Sequence, residues 1–344
     1  MSSTIELGLD TFGDVTVNGN GTPLPQAAVL RNVLEQGVLA DQLGIAFIGV
    51  GEHHRPDFAI TAPEVVLGAL ASRTSRIHLG TAVTVLSTDD PVRVFERFST
   101  INALSNGRAE VFVGRGSFTE SFPLFGYKLE HYETLFEEKL NLFVELLKGQ
   151  PVSWKGQLHP AALSDQTIYP PIETGTLTTW VAVGGSPESV VRAAHYALPL
   201  MLAIIGGSPQ RFVGYADLYR QMLERFGKPM LPIGVHSPGH VAATDEQAKE
   251  ELWPHYAGLM NRIGAERGWQ PIGRAHFERE AAEGALFVGS PESVAAKIVK
   301  TVKALGLSRF DLKYSNGTLP HDKLMKSIEL YGTKVVPLVR EQLQ

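Results

Sequence analysis

Two short stretches of this sequence hold residue types that could do chemistry. The first runs Asn106-Gly-Arg-Ala-Glu-Val-Phe-Val-Gly-Arg-Gly-Ser117. An Asn-Gly turn signal opens it, and the apolar run Val111 to Val113 is short enough for a buried strand. It ends in Gly114-Arg115-Gly116-Ser117, where two glycines permit positive φ and close approach of a ligand. The planar guanidinium of Arg115 is suited to a phosphate. The carboxyl end of a buried strand is where α/β proteins place ligands. An ordinary strand exit with a solvated arginine is the alternative, because Gly-Arg-Gly has little specificity as a motif. The second stretch, Glu52-His53-His54, directly follows the apolar run 46–50. A histidine there can serve as general base or hydrogen-bond donor. Alternation along a strand lets only one of His53 and His54 point inward, which argues against a metal pair.

A local repeat adds a third candidate. Gly-Ser-Pro-Glu-Ser-Val occurs at 185–190 and again at 289–294, and Gly-Gly-Ser-Pro occurs at 184–187 and 206–209. Each reads as a helix start, with Ser as N-cap, Pro in the first turn and, in the longer copies, Glu facing the helix dipole. Capping alone explains all three. The free N–H groups of a helix start also bind anions, and the copy at Gly184, Gly185 and Ser186 follows the apolar run 179–183 with no linker. It is therefore the phosphate candidate. Other chemistries lack their signatures: there is no Gly-x-Ser-x-Gly elbow, no Rossmann glycine fingerprint and no P-loop, and no glutamate follows His236 to make a zinc helix with His240. What remains is an anion site, a histidine pair and an apolar strand end at Thr81-Ala82-Val83-Thr84 on which a flat ring could lie. That set suits a phosphorylated planar cofactor.

Elements must carry these groups to one place. Strand patterns at 5–12, 46–50, 77–86, 111–113, 179–183, 200–205, 233–243 and 310–314 alternate with helical patterns, several of which open with Pro. Regular βαβα alternation implies parallel strands with helices outside, and eight such strands fit a (β/α)8 barrel running as one domain over 1–344. The rhythm breaks at 150–179, read as an insertion, and 264–286 reads as a mobile loop at the active site. The chain has 344 residues, a formal net charge of -5, no cysteine and 44% hydrophobic residues. Disulfides and thiolate chemistry are excluded. The mild negative charge speaks against a nucleic-acid surface, and no apolar run is long enough for a membrane span. The start of the chain does not read as a signal peptide, so a cytoplasmic protein is expected.

Taken together the landmarks resemble the bacterial luciferase-like flavin monooxygenases. They are Glu52-His53-His54, Gly80 to Leu86, Asp90-Pro-Val-Arg93, Leu104 to Arg108, Gly114 to Ser117 with Phe125-Gly126, Asn316-Gly-Thr318 and Val336-Pro-Leu338. The resemblance implies a (β/α)8 barrel with insertions that forms a homodimer. It places His53 where the family has a histidine that assists flavin and substrate chemistry, and Ala82-Val83, with Thr84 beside them, where a non-proline cis peptide lies under the isoalloxazine. Arg115, Gly184, Gly185, Ser186 and Ser189 fall where the FMN phosphate is held, although a glutamate of luciferase is replaced by Gly185. Ile204 stands where luciferase has a tryptophan, and 264–286 is shorter than the luciferase lid. The implied activity is an FMN-dependent monooxygenase, not a luciferase, acting on a small organic substrate. Reduced FMN, supplied by a separate reductase, would react with O2 to a flavin peroxide. A deazaflavin F420 hydride-transfer enzyme of the same fold and a flavin-binding protein without turnover are the alternatives, with a metal-dependent barrel hydrolase as the outside case.

Overall fold

A computed structural model describes residues 5–158, 162–173 and 175–344. Eight strands form its frame: β1 (Glu6–Thr11), β2 (Phe47–Val50), β3 (His78–Thr81), β4 (Ala109–Gly114), β5 (Thr178–Val183), β6 (Leu200–Ala203), β7 (Ile233–Val241) and β8 (Arg309–Lys313). Each pairs in parallel with its neighbour in sequence, and β8 returns to pair with β1. The ring is closed, so this is the (β/α)8 barrel that the alternation predicts.

Strand alternation sorts the side chains. Leu7, Leu9, Ile48, Val50, Val111, Val113, Val181 and Val183 point outward into the large apolar cluster shared with the helices. Phe47, Phe112, Trp180 and Met201 point inward and make a separate small cluster. Pro63, Pro91, Pro187 and Pro291 each open a helix. Asp90 caps the second of these by accepting from the N–H groups of Val92 and Arg93.

Four segments differ in detail from the sequence patterns. The strand expected over 77–86 breaks after Thr81: the Ala82–Val83 peptide is cis, and the short pair Thr84–Val85 and a 3-10 turn follow. The segment 150–179, read as an insertion, contains an antiparallel hairpin, Val152–Lys155 with Ala162–Gln166, while residues 159–161 and 174 lie outside the described residues. The segment 264–286, expected as a loop, is largely helical. The helix Asp245–Arg267 runs to an αL cap at Gly268, and Arg274–Ala282 forms a further helix. Its many charges are exposed faces of helices, which is why they read as loop. Ser208 in the second Gly-Gly-Ser-Pro copy makes no side-chain cap: its hydroxyl donates to Gln210, and a 3-10 turn follows.

One close approach tests the upper rim. Phe287–Gly289 pairs with the end of β7, and a Cβ on Gly239 would lie 2.3 Å from the Phe287 carbonyl oxygen. Gly239→Ala is expected to cost about 1–3 kcal/mol. A urea midpoint unchanged from wild type would show that this edge can yield.

Candidate cofactor and active site

The carboxyl ends of the strands make the barrel mouth. Its floor depends on glycines that leave room for neighbours. A Cβ on Gly51 would lie 2.3 Å from the Phe12 ring and 2.7 Å from the Ala82 carbonyl oxygen, and one on Gly114 would lie 2.7 Å from Val83 Cγ2. Phe12 and the Ala82–Val83 turn can therefore lie across the end of the barrel. Thr84 departs from expectation. It is wholly buried and its hydroxyl donates to Thr81, so its side chain faces the sheet. Ile204 is likewise wholly buried in the outer apolar cluster.

His53 stands at this floor, among the rings of Phe12, Phe58 and Phe118 at 4.8, 4.7 and 4.8 Å. Its Nδ1 is 3.3 Å from Glu120 Oε1, which also accepts from the His54 N–H. Burial pushes the Glu120 carboxyl up, but the hydrogen bonds from His53 and the His54 N–H outweigh it and hold it below the usual range. An ionised carboxylate only accepts, so Nδ1 carries the ring proton and Nε2 is left for other work. His54 turns away to Glu52 at 3.2 Å, and Glu52 accepts from the Val85 N–H at 2.6 Å. The two histidines thus turn to different partners, although both lie beyond the end of β2.

The anion candidates converge. Ser186 accepts from the Ser189 N–H at the start of the helix Pro187–His195, and Gly185 has a φ of +117°. The Gly185 carbonyl accepts from Tyr215 at 2.8 Å. Arg115 is ion-paired to Glu133, and Arg192 from the same helix reaches Glu133 at 3.6 Å and Ser189 Oγ at 3.3 Å. Tyr132 lies under Arg115 and donates to the Gly116 carbonyl. Two guanidiniums therefore meet at one carboxylate that is itself 57% exposed, beside a helix N-terminus. That donor set fits a phosphate monoester.

The C-terminal end of the helix Asp245–Arg267 packs over the loops that follow β2 and β4. Glu266 binds Arg55, Arg262 lies 3.3 Å from Asp57, and Arg267 donates to the Ser117 carbonyl. Arg55 and Arg267 both lie over the Phe118 ring, at 4.7 and 4.9 Å. Beneath this end is a cavity of about 420 Å³ bordered by Asp14, His54, Arg55, Asp57, Arg262 and Glu266.

Sequence reasoning missed Glu120, Arg192 and Tyr215. Arg192 was in reach, since it is three positions beyond Ser189 and shares its helix face. Glu120 lies 67 residues from His53, with no local signal.

The description of luciferase-like monooxygenases matches this chain over residues 11–309. The alkanal monooxygenase alpha chain of Photorhabdus luminescens is 22% identical over 368 residues, covering 96% of this chain and 98% of its own length. Among solved structures, monooxygenase RslO1 from Streptomyces bottropensis aligns with a TM-score of 0.83 at 22% identity, covering 97% of this chain and 99% of its own. The oxygenating constituent of 3,6-diketocamphane monooxygenase from Pseudomonas putida, in complex with FMN, aligns at 0.78 with 17% identity over 97% and 98%. An F420-dependent secondary alcohol dehydrogenase shares the fold at 0.75 and 16% identity over 98% and 99%. No described helix is long and apolar enough to cross a membrane. The chain belongs to the luciferase-like monooxygenase family.

Proposed function

We propose that this protein is an FMN-dependent monooxygenase that uses reduced FMN and O2 on a small organic substrate. The observation that carries this reading is the meeting of Arg115, Arg192 and the Gly185-Ser186 helix start at the same barrel mouth as His53. FMN when bound would supply the electrons and the oxygen-activating ring. Arg115, Arg192 and the N–H groups from Gly185 onward hold its phosphate, and Ser189 positions Arg192 through its hydroxyl. Phe12, Ala82 and Val83 support the ring. His53 Nε2, aimed by Glu120, holds or moves a proton at the reacting oxygen. The helix end at Arg262–Arg267, with Phe118, keeps water out, and substrate enters by the cavity beside His54. A separate flavin reductase, a homodimer and a cytoplasmic location belong to this reading through the family resemblance.

Comparing FMN with riboflavin, which lacks the phosphate, tests it. A charged hydrogen bond is worth about 1.5–3 kcal/mol, so Arg115→Ala is expected to weaken FMN binding about 10- to 100-fold. Riboflavin affinity should stay unchanged. If wild type binds both flavins equally, the phosphate site is wrong. The fold shared with an F420-dependent dehydrogenase favours a second reading, hydride transfer with F420. Preferential binding of F420, with no oxygen consumption from reduced FMN, would select it.

A further inference from the structure

A second histidine–carboxylate pair opens on the same mouth. Asp10 on β1 and His236 on β7 both point into the barrel, on either side of β8, and Asp10 Oδ2 lies 2.5 Å from His236 Nδ1. Asp10 is fully buried and its other oxygen, Oδ1, has no hydrogen-bond partner. The charged groups facing this pair from β8 are otherwise committed. Lys313 is bound to Asp14 at 3.1 Å and to the Ser315 carbonyl. Asp311 is buried, and burial pushes its carboxyl well above its ordinary value. His236 is thus the one side chain that satisfies Asp10 among the described residues.

His236 itself is not closed off. Its side chain retains 12% of its surface, and Nε2 has no protein partner among the described residues. His240, four positions along the same strand, shows what a structural histidine looks like here: it is wholly buried and its Nε2 is tied to Glu251 at 2.9 Å. The Phe12 ring lies 4.8 Å from His53 and 6.3 Å from His236, so the two imidazoles border one ring, one from the loop after β2 and one from β7.

We propose that His236, positioned by Asp10, is a second proton acceptor of this site and acts on a substrate whose reacting oxygen bears a hydrogen. The inference rests on the functional reading above. With the Asp10 carboxylate accepting from Nδ1–H, the ring's free lone pair is on Nε2. In the step, the substrate O–H bond breaks and an Nε2–H bond forms, while the electron pair stays on the substrate oxygen. The ring becomes positive beside Asp10, and the proton leaves to water through Nε2. Asp10 is a positioning residue. It fixes the tautomer and compensates the charge.

Two measurements decide this without a known substrate. Long-range proton–nitrogen spectra of the ligand-free protein are expected to show His236 protonated at Nδ1, with the Nε2–H tautomer appearing in Asp10→Asn. An Nε2–H tautomer in wild type overturns the proposal. Diethyl pyrocarbonate labelling, mapped by peptide mass, is expected to modify His236, with saturating FMN slowing the reaction at least tenfold. If FMN binds and His236 is labelled as fast as before, the inference fails while the functional reading survives. If neither FMN nor F420 binds, the functional reading falls and takes this inference with it. Should Asp10→Asn not fold, the two wild-type readouts still decide.

Discussion

Glu110→Gln is expected to cost about 3–5 kcal/mol of stability, the usual penalty for leaving one partner of a buried ion pair alone. Glu110 on β4 accepts two bonds from Arg309 on β8, at 2.7 and 2.9 Å, across the inside of the barrel. Both side chains are almost wholly buried. The Arg309 guanidinium is packed against the rings of Phe47 and Trp180, at 4.6 and 4.9 Å, and Trp180 also donates to Glu110 at 2.9 Å. Removing the carboxylate charge strands a guanidinium among aromatic rings. Its remaining acidic partner is the half-exposed Glu6. Cation–π contact with the rings, worth about 0.5–2 kcal/mol, offsets only part of that.

The same pair predicts a pH dependence with a definite sign. Burial would raise the Glu110 carboxyl, but the Arg309 charge and the hydrogen bonds from His78 and Arg309 win and hold it down to about 2, from an ordinary 4.5. At 1.36 kcal/mol per unit this depression amounts to about 3 kcal/mol, in line with the mutational figure. A depressed carboxyl contributes its stability above its unfolded value and loses it as pH falls toward its folded value. The wild-type urea midpoint should therefore fall between pH 4.5 and about 2, and Glu110→Gln should lose much of that slope. Adding Arg309→Met to Glu110→Gln removes the stranded charge and keeps an acceptor for Trp180, so it is expected to recover at least part of the loss. If the double variant were as unstable as the sum of two damaging single changes, charge burial would not be the cause.

How much of this was legible in the chain varies by kind of signal. The barrel was, because eight apolar runs alternating with proline-started helices leave few other closures. The strand that bends at Ala82 was not, since the one breaker in the run 77–86, Gly80, lies inside the paired strand and not at the bend, and only the family resemblance marked the place. Arg115 and the Gly185-Ser186 turn were legible through glycine, serine and proline, whose local conformational rules survive in any context. The inward pairs were not. Asp10, Glu110 and Arg309 sit in strands whose outward neighbours, Leu9, Val111 and Phe310, dominate the hydrophobic pattern. This barrel buries its strands on both sides, and the charged pairs sit inside beside the inward Phe47, Phe112, Trp180 and Met201, so the polar residues of these runs were the informative ones. The charge-rich segment 264–286 misled for the opposite reason: exposed helical faces and loops have the same composition.

His53→Ala is expected to lower turnover by about 10²- to 10⁴-fold, the usual range for a positioned proton-transfer group, with FMN affinity within about threefold of wild type. The separation follows from the partners each group holds. His53 packs against Phe12, Phe58 and Phe118 and bonds to Glu120, whereas Arg115 and Arg192, which would hold the phosphate, meet at Glu133. Glu120→Gln leaves the ring in place, and loses one charged hydrogen bond worth about 1.5–3 kcal/mol. Its turnover should fall less, about 10- to 100-fold. Because His53 and the His54 N–H hold the Glu120 carboxyl below its usual range against burial, the acid limb set by this residue should lie below pH 4.5. Above that limb Glu120 stays ionised and the ring stays aimed. The measurement is turnover with the best substrate from a screen, reduced FMN being supplied by a reductase, alongside flavin titration of each variant. If His53→Ala releases FMN as well as slowing turnover, His53 supports the floor and does not serve the chemistry. If it does neither, the proton is handled elsewhere in the mouth.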